Sequence, residues 1–112
     1  MSTLRNHVQL IGNLGNTPEI INLENGGKLA KFSLATNETY TNKKGEKVTD
    51  TQWHNIVAWN NTATIIEKFL DKGKEVAISG KLTSRSWEDQ DGNKRYITEV
   101  VCNEVLLLGG KQ

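Results

Sequence analysis

Aromatic side chains stand close to basic ones at two places in this sequence. The two groups consist of Tyr40 with Lys43, Lys44 and Lys47, and of Trp87 with Lys81 and Arg85. Single-stranded nucleic acid needs this combination, because its bases stack on flat π-faces while cations neutralise its phosphates. Since every base has a π-face, such a surface would bind with little sequence preference.

Two further tryptophans, Trp53 and Trp59, lie six residues apart in the alternating stretch TQWHNIVAWN. In an extended strand they share one face, and His54, Ile56 and Ala58 share the other. Either row could form the core, so the tryptophans are either outward base platforms or half-buried aromatics of a sheet or subunit interface. Three indoles of about 200 Å² each would crowd the interior of so small a domain, which favours an outward position for some of them.

The sequence contains few of the residues from which catalytic or metal sites are built. His7 and His54 are the only histidines and Cys102 is the only cysteine, and no carboxylate stands at a recognisable ligand spacing around them. No nucleophile, base and orienting group can be assembled from this set. We therefore expect a protein that is not an enzyme and that uses no metal and no cofactor.

Length and composition indicate one small domain. The chain has 112 residues, 36% of them hydrophobic, which is enough for one domain with its own core. Its formal net charge is only +1, so the overall charge gives no indication of a polyanionic partner. No apolar run approaches the roughly 20 residues that cross a bilayer, and MSTLRNHVQL lacks the apolar region of a signal peptide. We expect a cytoplasmic protein without a membrane partner.

Five segments have the composition of β-strands and are separated by Gly- and Asn-rich breaks. The predicted strands are His7 to Leu14, Lys28 to Tyr40, Thr49 to Trp59, Glu75 to Trp87 and Lys94 to Leu108. The breaks NGG, NKKGEK and DQDGN predict hairpin loops. In the fourth strand, Val76, Ile78 and Leu82 share an apolar face that we expect to fill the interior, which places Trp87 and Arg85 on the polar face.

One segment, NNTATIIEKFLDKG, has helical spacing instead. Its recurring apolar residues are Ile65, Ile66, Phe69 and Leu70. Asn60, Asn61 or Thr62 can cap its start, and Gly73 is a plausible C-terminal stop. The order of elements predicts an all-β protein with one short helix: an OB-fold, a five-stranded barrel with the helix between the third and fourth strands.

Four segments together resemble the bacterial-type single-stranded DNA-binding proteins, the SSB family. They are VQLIGNLGNTPEI, LAKFSLATNETY, TQWHNIVAWNNTATIIEKFLDKG and GKLTSRSWEDQDGNKRYITEV, within a match from about Leu4 to Leu108. The resemblance implies a single OB-fold domain over residues 1–112 that assembles as a homotetramer. It also implies non-catalytic, largely sequence-independent binding and protection of single-stranded DNA during replication, recombination and repair, at the nucleoid.

The resemblance also assigns roles to individual residues. The stacking aromatics of that family fall on Tyr40, Trp53, Trp59 and Trp87. Phosphate contacts are expected from Lys43, Lys44, Lys47, Lys72, Lys81 and Arg85. Related proteins often carry basic side chains where this chain has Asn55, Asp71, Thr83 and Ser86, so we expect fewer phosphate contacts and a weaker salt dependence.

The end of the chain suggests a difference from the family. Family members usually continue into a Gly- and Gln-rich linker and a short acidic tail that recruits other proteins, whereas this sequence ends in GGKQ. We therefore do not expect tail-mediated recruitment of replication or repair proteins. An alternative hypothesis is an adaptor similar to the primosomal replication proteins related to SSB, which would be indicated by loss of the outward aromatics; here all four positions are filled.

Overall fold

The computed structural model describes residues 5–108, which form six strands and one helix. The elements are β1 (Val8–Leu14), β2 (Glu19–Asn22), β3 (Lys28–Thr41), β4 (Lys47–Trp59), α1 (Asn60–Phe69), β5 (Glu75–Glu88) and β6 (Lys94–Leu108). The five predicted strands correspond to β1, β3, β4, β5 and β6, and the helix follows the third of them as predicted. Strand β2 is an addition, because its residues, EIIN, do not alternate between polar and apolar side chains and so give no strand signal. Leu4 and the closing GGKQ lie outside the described residues.

Five of the strands close into a barrel. The strand order is β1-β5-β6-β4-β3, and β3 returns to β1 where Asn13 pairs with Ala35. Close approach at this seam requires Gly12, since a Cβ on it would lie 2.1 Å from the Ala35 carbonyl oxygen. All these pairings are antiparallel except that of β4 with β6, and β2 pairs with β3 alone. The predicted OB-fold barrel is confirmed.

The inward rows of the strands fill the barrel with aliphatic side chains. The largest fully buried side chains are Leu34, Ile56, Val76 and Ile78 from the strands and Ile66 from α1. On β4, Ile56 and Ala58 are completely buried. This settles the choice that parity leaves open, because the row of His54, Ile56 and Ala58 is the core row of β4.

Helix α1 packs against β3, β4 and β6 through a narrower apolar face than its spacing predicts. Its buried residues, including the one that follows it, are Ala63, Ile66 and Leu70. Ile65 and Phe69 lie outside this stripe and are 45% and 53% exposed. The helix begins after Trp59 without a side-chain capping bond, so the predicted Asn or Thr cap is wrong. Gly73, with φ of 88°, turns the chain after the helix as predicted.

Two β-hairpins extend past the barrel. We call residues 37–51 of β3 and β4 the β3–β4 arm, and residues 84–98 of β5 and β6 the β5–β6 arm. Along both arms nearly every side chain is exposed, on both faces of the hairpin. Leu82, predicted for the core, lies at the base of the β5–β6 arm and is 48% exposed, because the barrel interior ends before it.

Candidate nucleic-acid interface

The outer row of β4 carries Trp53 and Trp59. These side chains are 63% and 47% exposed, whereas Ile56 and Ala58 between them are fully buried. Because side chains alternate along a strand, burial of one row fixes the direction of the other. Both indoles therefore lie on the outside of the barrel and contribute nothing to its core.

Strand pairing brings Trp87 to the same outer surface. Val57, in the tryptophan row of β4, pairs with Val101 of β6, and Val101 pairs with Lys81 of β5. Paired residues share a face of the sheet, and Trp87 lies six residues beyond Lys81 in the same row. Trp87 is 44% exposed. The three tryptophans thus share one face that runs across β4, β6 and β5.

A shallow groove, called the outer groove below, crosses this face between Trp59 and Arg85. One depression of about 360 Å³ has a lining that includes Lys31, Val57, Trp59, Thr83, Arg85 and Glu99. A second depression, of about 260 Å³, shares Lys31, Val57, Arg85 and Glu99 and continues to Asn16, Ser33 and Asn55. Glu19 also lines the second depression, so the groove places two cations and two carboxylates beside an exposed indole.

The indole of Trp53 lies against Gly15 in the turn after β1. A Cβ on Gly15 would stand 2.4 Å from Cζ3 of Trp53, so a larger residue there would displace the ring. The Gly15 amide donates to the Ser33 carbonyl at 2.9 Å, and the Ser33 amide donates to Oδ1 of Asn16 at 2.9 Å. These bonds hold the turn to β3 and fix the surface on which Trp53 lies.

Tyr40 is exposed but belongs to the opposite row of the β3–β4 arm. It pairs with Val48, and the same row continues into the barrel where Phe32 pairs with Ile56. The tyrosine is 50% exposed because the arm has no covering layer at that point. The structure thus gathers the three tryptophans on one face and leaves Tyr40 on the other face of its hairpin.

The tip of the β3–β4 arm presents three lysines around a tight turn. Oδ1 of Asn42 accepts hydrogen bonds from the Lys44 and Glu46 amides at 2.9 and 3.0 Å, which fixes the turn. None of the ion pairs formed within residues 5–108 involves Lys43, Lys44 or Lys47. Their charges are therefore directed at the solvent and are available to a polyanion.

Lys72 and Lys81 lie at separate places on the surface. Lys72 belongs to a turn that is hydrogen-bonded to the end of β1, and Lys81 is exposed in the tryptophan row of β5. Beside Lys72, Asp71 accepts hydrogen bonds from Oγ1 of Thr17 and from the Lys72 amide. These bonds, the one from Thr17 most strongly, lower the pKa of the Asp71 carboxyl. An ionised Asp71 offsets part of the charge that Lys72 offers to a phosphate.

Arg85 shares its charge with a neighbour. Its Nε and one terminal nitrogen donate to the two carboxylate oxygens of Glu99 at 3.2 and 3.3 Å. Its guanidinium carbon lies 5.5 Å from the centroid of the Trp87 ring. Arg85 is thus less free to contact phosphate than its place beside Trp87 in the sequence suggests.

Lys31 and Glu99 line the outer groove, Tyr96 is exposed on the neighbouring β5–β6 arm, and none of the three is among the residues predicted from the sequence. Alternation could have indicated Lys31, which precedes the core residue Phe32 and therefore faces outward. Nothing in RYITEV marks Glu99 as a partner of Arg85, because the contact forms between strands. Tyr96, 70% exposed, lies on the face of the β5–β6 arm that points away from the outer groove.

The half-buried His54 and the buried Cys102 make contacts that serve the structure of the barrel. Nε2 of His54 lies 3.0 Å from Oγ1 of Thr36, and burial raises the pKa of the Cys102 thiol to about 11, which disfavours the reactive thiolate. Within residues 5–108, no group of three or more His, Cys, Asp or Glu side chains could hold a metal ion. In the same part of the chain, no helix has the length and apolar character to span a membrane.

Comparison with known proteins gives concordant matches. The family model described as "Single-strand binding protein family" matches residues 5–108. The chain is 44% identical over 107 residues to single-stranded DNA-binding protein 1 of Chlorobaculum tepidum, covering 95% of the chain and 66% of that relative. It is 43% identical over 108 residues to single-stranded DNA-binding protein 1 of Xylella fastidiosa, covering 96% and 79%. The solved structure "Plasmodium falciparum SSB complex with ssDNA" aligns with a TM-score of 0.83 and 36% identity, covering 96% of this chain and 97% of that one.

Proposed function

The chain belongs to the single-strand binding protein family, and from this premise we propose that it binds and protects single-stranded DNA without catalysis. Bases stack on Trp53, Trp59 and Trp87, while lysines neutralise the phosphates. Aromatic stacking contributes roughly 1–3 kcal/mol per base and tolerates any sequence. Binding is therefore largely independent of sequence, as replication, recombination and repair require.

One observation carries the proposal, namely the gathering of three half-exposed indoles on a single outer face. Indoles in a folded protein are usually covered, and here β4 and β5 hold them in the open on the face that also carries the outer groove with Lys31 and Arg85. Tyr40 lies on the other face of the β3–β4 arm, so the single-stranded DNA reaches it only by passing around the arm. We propose that Tyr40 is a terminal platform and that the tryptophans are the central ones.

The phosphates meet cations of two kinds in this proposal. The lysines of the β3–β4 tip, Lys43, Lys44 and Lys47, contact phosphates at one end of the path of the single-stranded DNA. Lys72 and Lys81 contribute single contacts elsewhere on the surface. Arg85 acts mainly beside Trp87, since its charge is shared with Glu99.

We also propose that the protein assembles as a homotetramer and acts on DNA at the nucleoid, in the cytoplasm. An apolar row on another face of the barrel supports the assembly: Ile11 pairs with Ala77, and Ala77 pairs with Leu106. Ile11 and Leu106 are 50% and 63% exposed in the single chain. Burying such a row between subunits would stabilise both partners.

The direct test is a titration of intrinsic tryptophan fluorescence with oligo(dT) at low and high salt, beside a duplex of matched length. Stacking on exposed indoles predicts strong quenching by the single strand, weaker binding at high salt and little response to the duplex. Sedimentation of the same samples checks that assembly is intact. Absence of quenching by an assembled protein would refute the proposal and favour the adaptor hypothesis.

A further inference from the structure

Glu99 is a carboxylate on the floor of the outer groove, where a polyanion has to lie. We infer that Glu99 is a positioning residue: it holds the Arg85 guanidinium against Trp87 and cancels its charge, so that the pair acts as a neutral platform. The inference rests on the proposed function, since it concerns how the same groove meets single-stranded DNA. It assigns to Glu99 control over the salt dependence of binding.

The geometry of the pair follows from the strand register. Thr83 pairs directly with Glu99, and Arg85 lies two residues further along β5 on the same face. This diagonal distance suits a long side chain, and the arginine fork meets both carboxylate oxygens. Glu99 is only 6% exposed, and a buried charge without a partner is strongly unfavourable. Arg85 is therefore held in place by the cost of separating it from Glu99.

The stack on Trp87 uses the same orientation of Arg85. With its fork fixed by Glu99, the guanidinium carbon lies 5.5 Å from the Trp87 ring centroid, within the range of a cation–π contact. The Arg85 side chain is still 57% exposed, and three of its five N–H donors are not engaged by Glu99. A flat, hydrogen-bonding surface therefore continues the indole of Trp87 toward the groove.

A neutral ion pair and a free cation differ in how many counterions they displace from the DNA when it binds. Each phosphate that a lysine or arginine neutralises on a single strand steepens the plot of log K against log salt by about 0.7. The Arg85–Glu99 pair has no net charge and should add little to this slope. Removing the carboxylate charge would convert Arg85 into a free cation inside the groove.

The test compares the salt dependence of oligo(dT) binding in the full chain, in Glu99→Gln and in the double variant Glu99→Gln with Arg85→Gln. Glu99→Gln should steepen the slope by about 0.7, so that its affinity relative to the parent changes about 2.5-fold between about 50 and 200 mM salt. The double variant, again neutral at the pair, should return to the parental slope. A parent that binds while Glu99→Gln leaves the slope unchanged or shallower would overturn the inference; a parent that does not bind overturns the proposed function instead.

Two further variants separate position from overall charge. Glu104→Gln removes the same charge from an exposed residue of β6 outside the groove, and should leave the slope unchanged; an equal steepening would overturn the inference. Arg85→Lys keeps the positive charge but loses the planar fork. It should weaken binding about two- to fivefold by loss of the stacked geometry. Unchanged affinity in Arg85→Lys would show that the orientation imposed by Glu99 has no role, even if Glu99→Gln did not fold.

Discussion

The two hairpin arms are built on the same turn and differ in the charges that they carry. Asn42 and Asp89 occupy equivalent positions, and each side chain accepts hydrogen bonds from the amides two and four residues later. A glycine with positive φ follows in each turn, Gly45 in one and Gly92 in the other. Since the backbone device is shared, differences in binding between the arms must come from their side chains.

The difference lies in how many of the cations are paired. On the β5–β6 arm, Arg85 pairs with Glu99 and Arg95 pairs with Asp89, and only Lys94 forms no ion pair within residues 5–108. At the tip of the β3–β4 arm, the lysines form no ion pair with any other residue between 5 and 108. One arm therefore offers free charge, which salt screens over about 10 Å, and the other offers a largely neutral stacking surface. Two hairpins with the same turn would thus supply the electrostatic and the stacking part of one interface.

The largest effect is expected at the indole of the β5–β6 arm. Trp87→Ala removes a stacking platform and should weaken oligo(dT) binding by about 1–3 kcal/mol at every salt concentration. The salt slope should stay within experimental error of the parental value, because no cation is removed. Fluorescence polarisation with labelled oligo(dT) measures both quantities, and circular dichroism checks that folding is retained.

Tyr40→Ala is the matched variant on the other arm. Tyr40 lies away from the face that holds the tryptophans, so its loss should cost less than that of Trp87. If Tyr40→Ala reduced the affinity for oligo(dT) more than Trp87→Ala does, the DNA would follow the opposite face of the β3–β4 arm. The face that carries the tryptophans would then not be the centre of the interface.

A smaller effect is expected when the free charges are removed. Changing Lys43, Lys44 and Lys47 together to Gln should reduce the salt slope by about 2, since each contact on a single strand contributes about 0.7. The affinity should fall mainly at low salt, while quenching of tryptophan at saturation is retained. The measurement is the affinity for oligo(dT) over a series of salt concentrations.

The control for the lysine variant is neutralisation of an existing pair on the β5–β6 arm. Arg95→Gln with Asp89→Asn removes one positive and one negative charge, so the slope should remain as in the parent. If the parent and the lysine variant had equal salt slopes, the lysines of the β3–β4 tip would not contact the DNA. The electrostatic difference between the arms would then have no role in binding.

Much of the fold could be predicted because alternation and turn residues are local signals. The five barrel strands and the positive-φ turns at Gly45 and Gly92 follow from them directly. The closing contact between Asn13 and Ala35 could not be derived in this way, since it depends on residues distant in the chain. The wrong assignment of Leu82 to the core has a similar origin, because alternation shows which way a side chain points but not where the barrel ends.

The candidate site was predictable by residue type and less so by arrangement. The aromatic and basic residues were recognisable from neighbours in the sequence, and parity placed Trp87 beside Arg85. The partner of Arg85 was not, because Glu99 reaches it from another strand and only the register brings them together. The separation of Tyr40 from the tryptophans likewise becomes visible only when both rows of β3 and β4 are paired.

The smallest expected effect concerns the acid at the turn of the β5–β6 arm. Hydrogen bonds from the Asn93 amide, and next from Arg95, hold the pKa of the Asp89 carboxyl below its ordinary value near 3.8. Because the folded pKa is the lower one, the ionised form stabilises the turn above pH 3.8, and this contribution is lost as the pH falls through the folded pKa. The Asn42 side chain has no ionisable group, so the hydrogen bonds that its Oδ1 accepts from the Lys44 and Glu46 amides should not respond in this way.

Asp89→Asn makes the two turns chemically equivalent and so tests this difference directly. Amide chemical shifts and hydrogen exchange can be followed by NMR from about pH 6 to about pH 2. In the parent, the Asp91 and Asn93 amides should lose protection at the acid end while those of Lys44 and Glu46 do not. In Asp89→Asn the acid-dependent change at Asp91 and Asn93 should disappear. If the amides of both turns in the parent lost protection together at low pH, the loss would reflect global unfolding. The ionisation of Asp89 would then not distinguish its turn from that of Asn42.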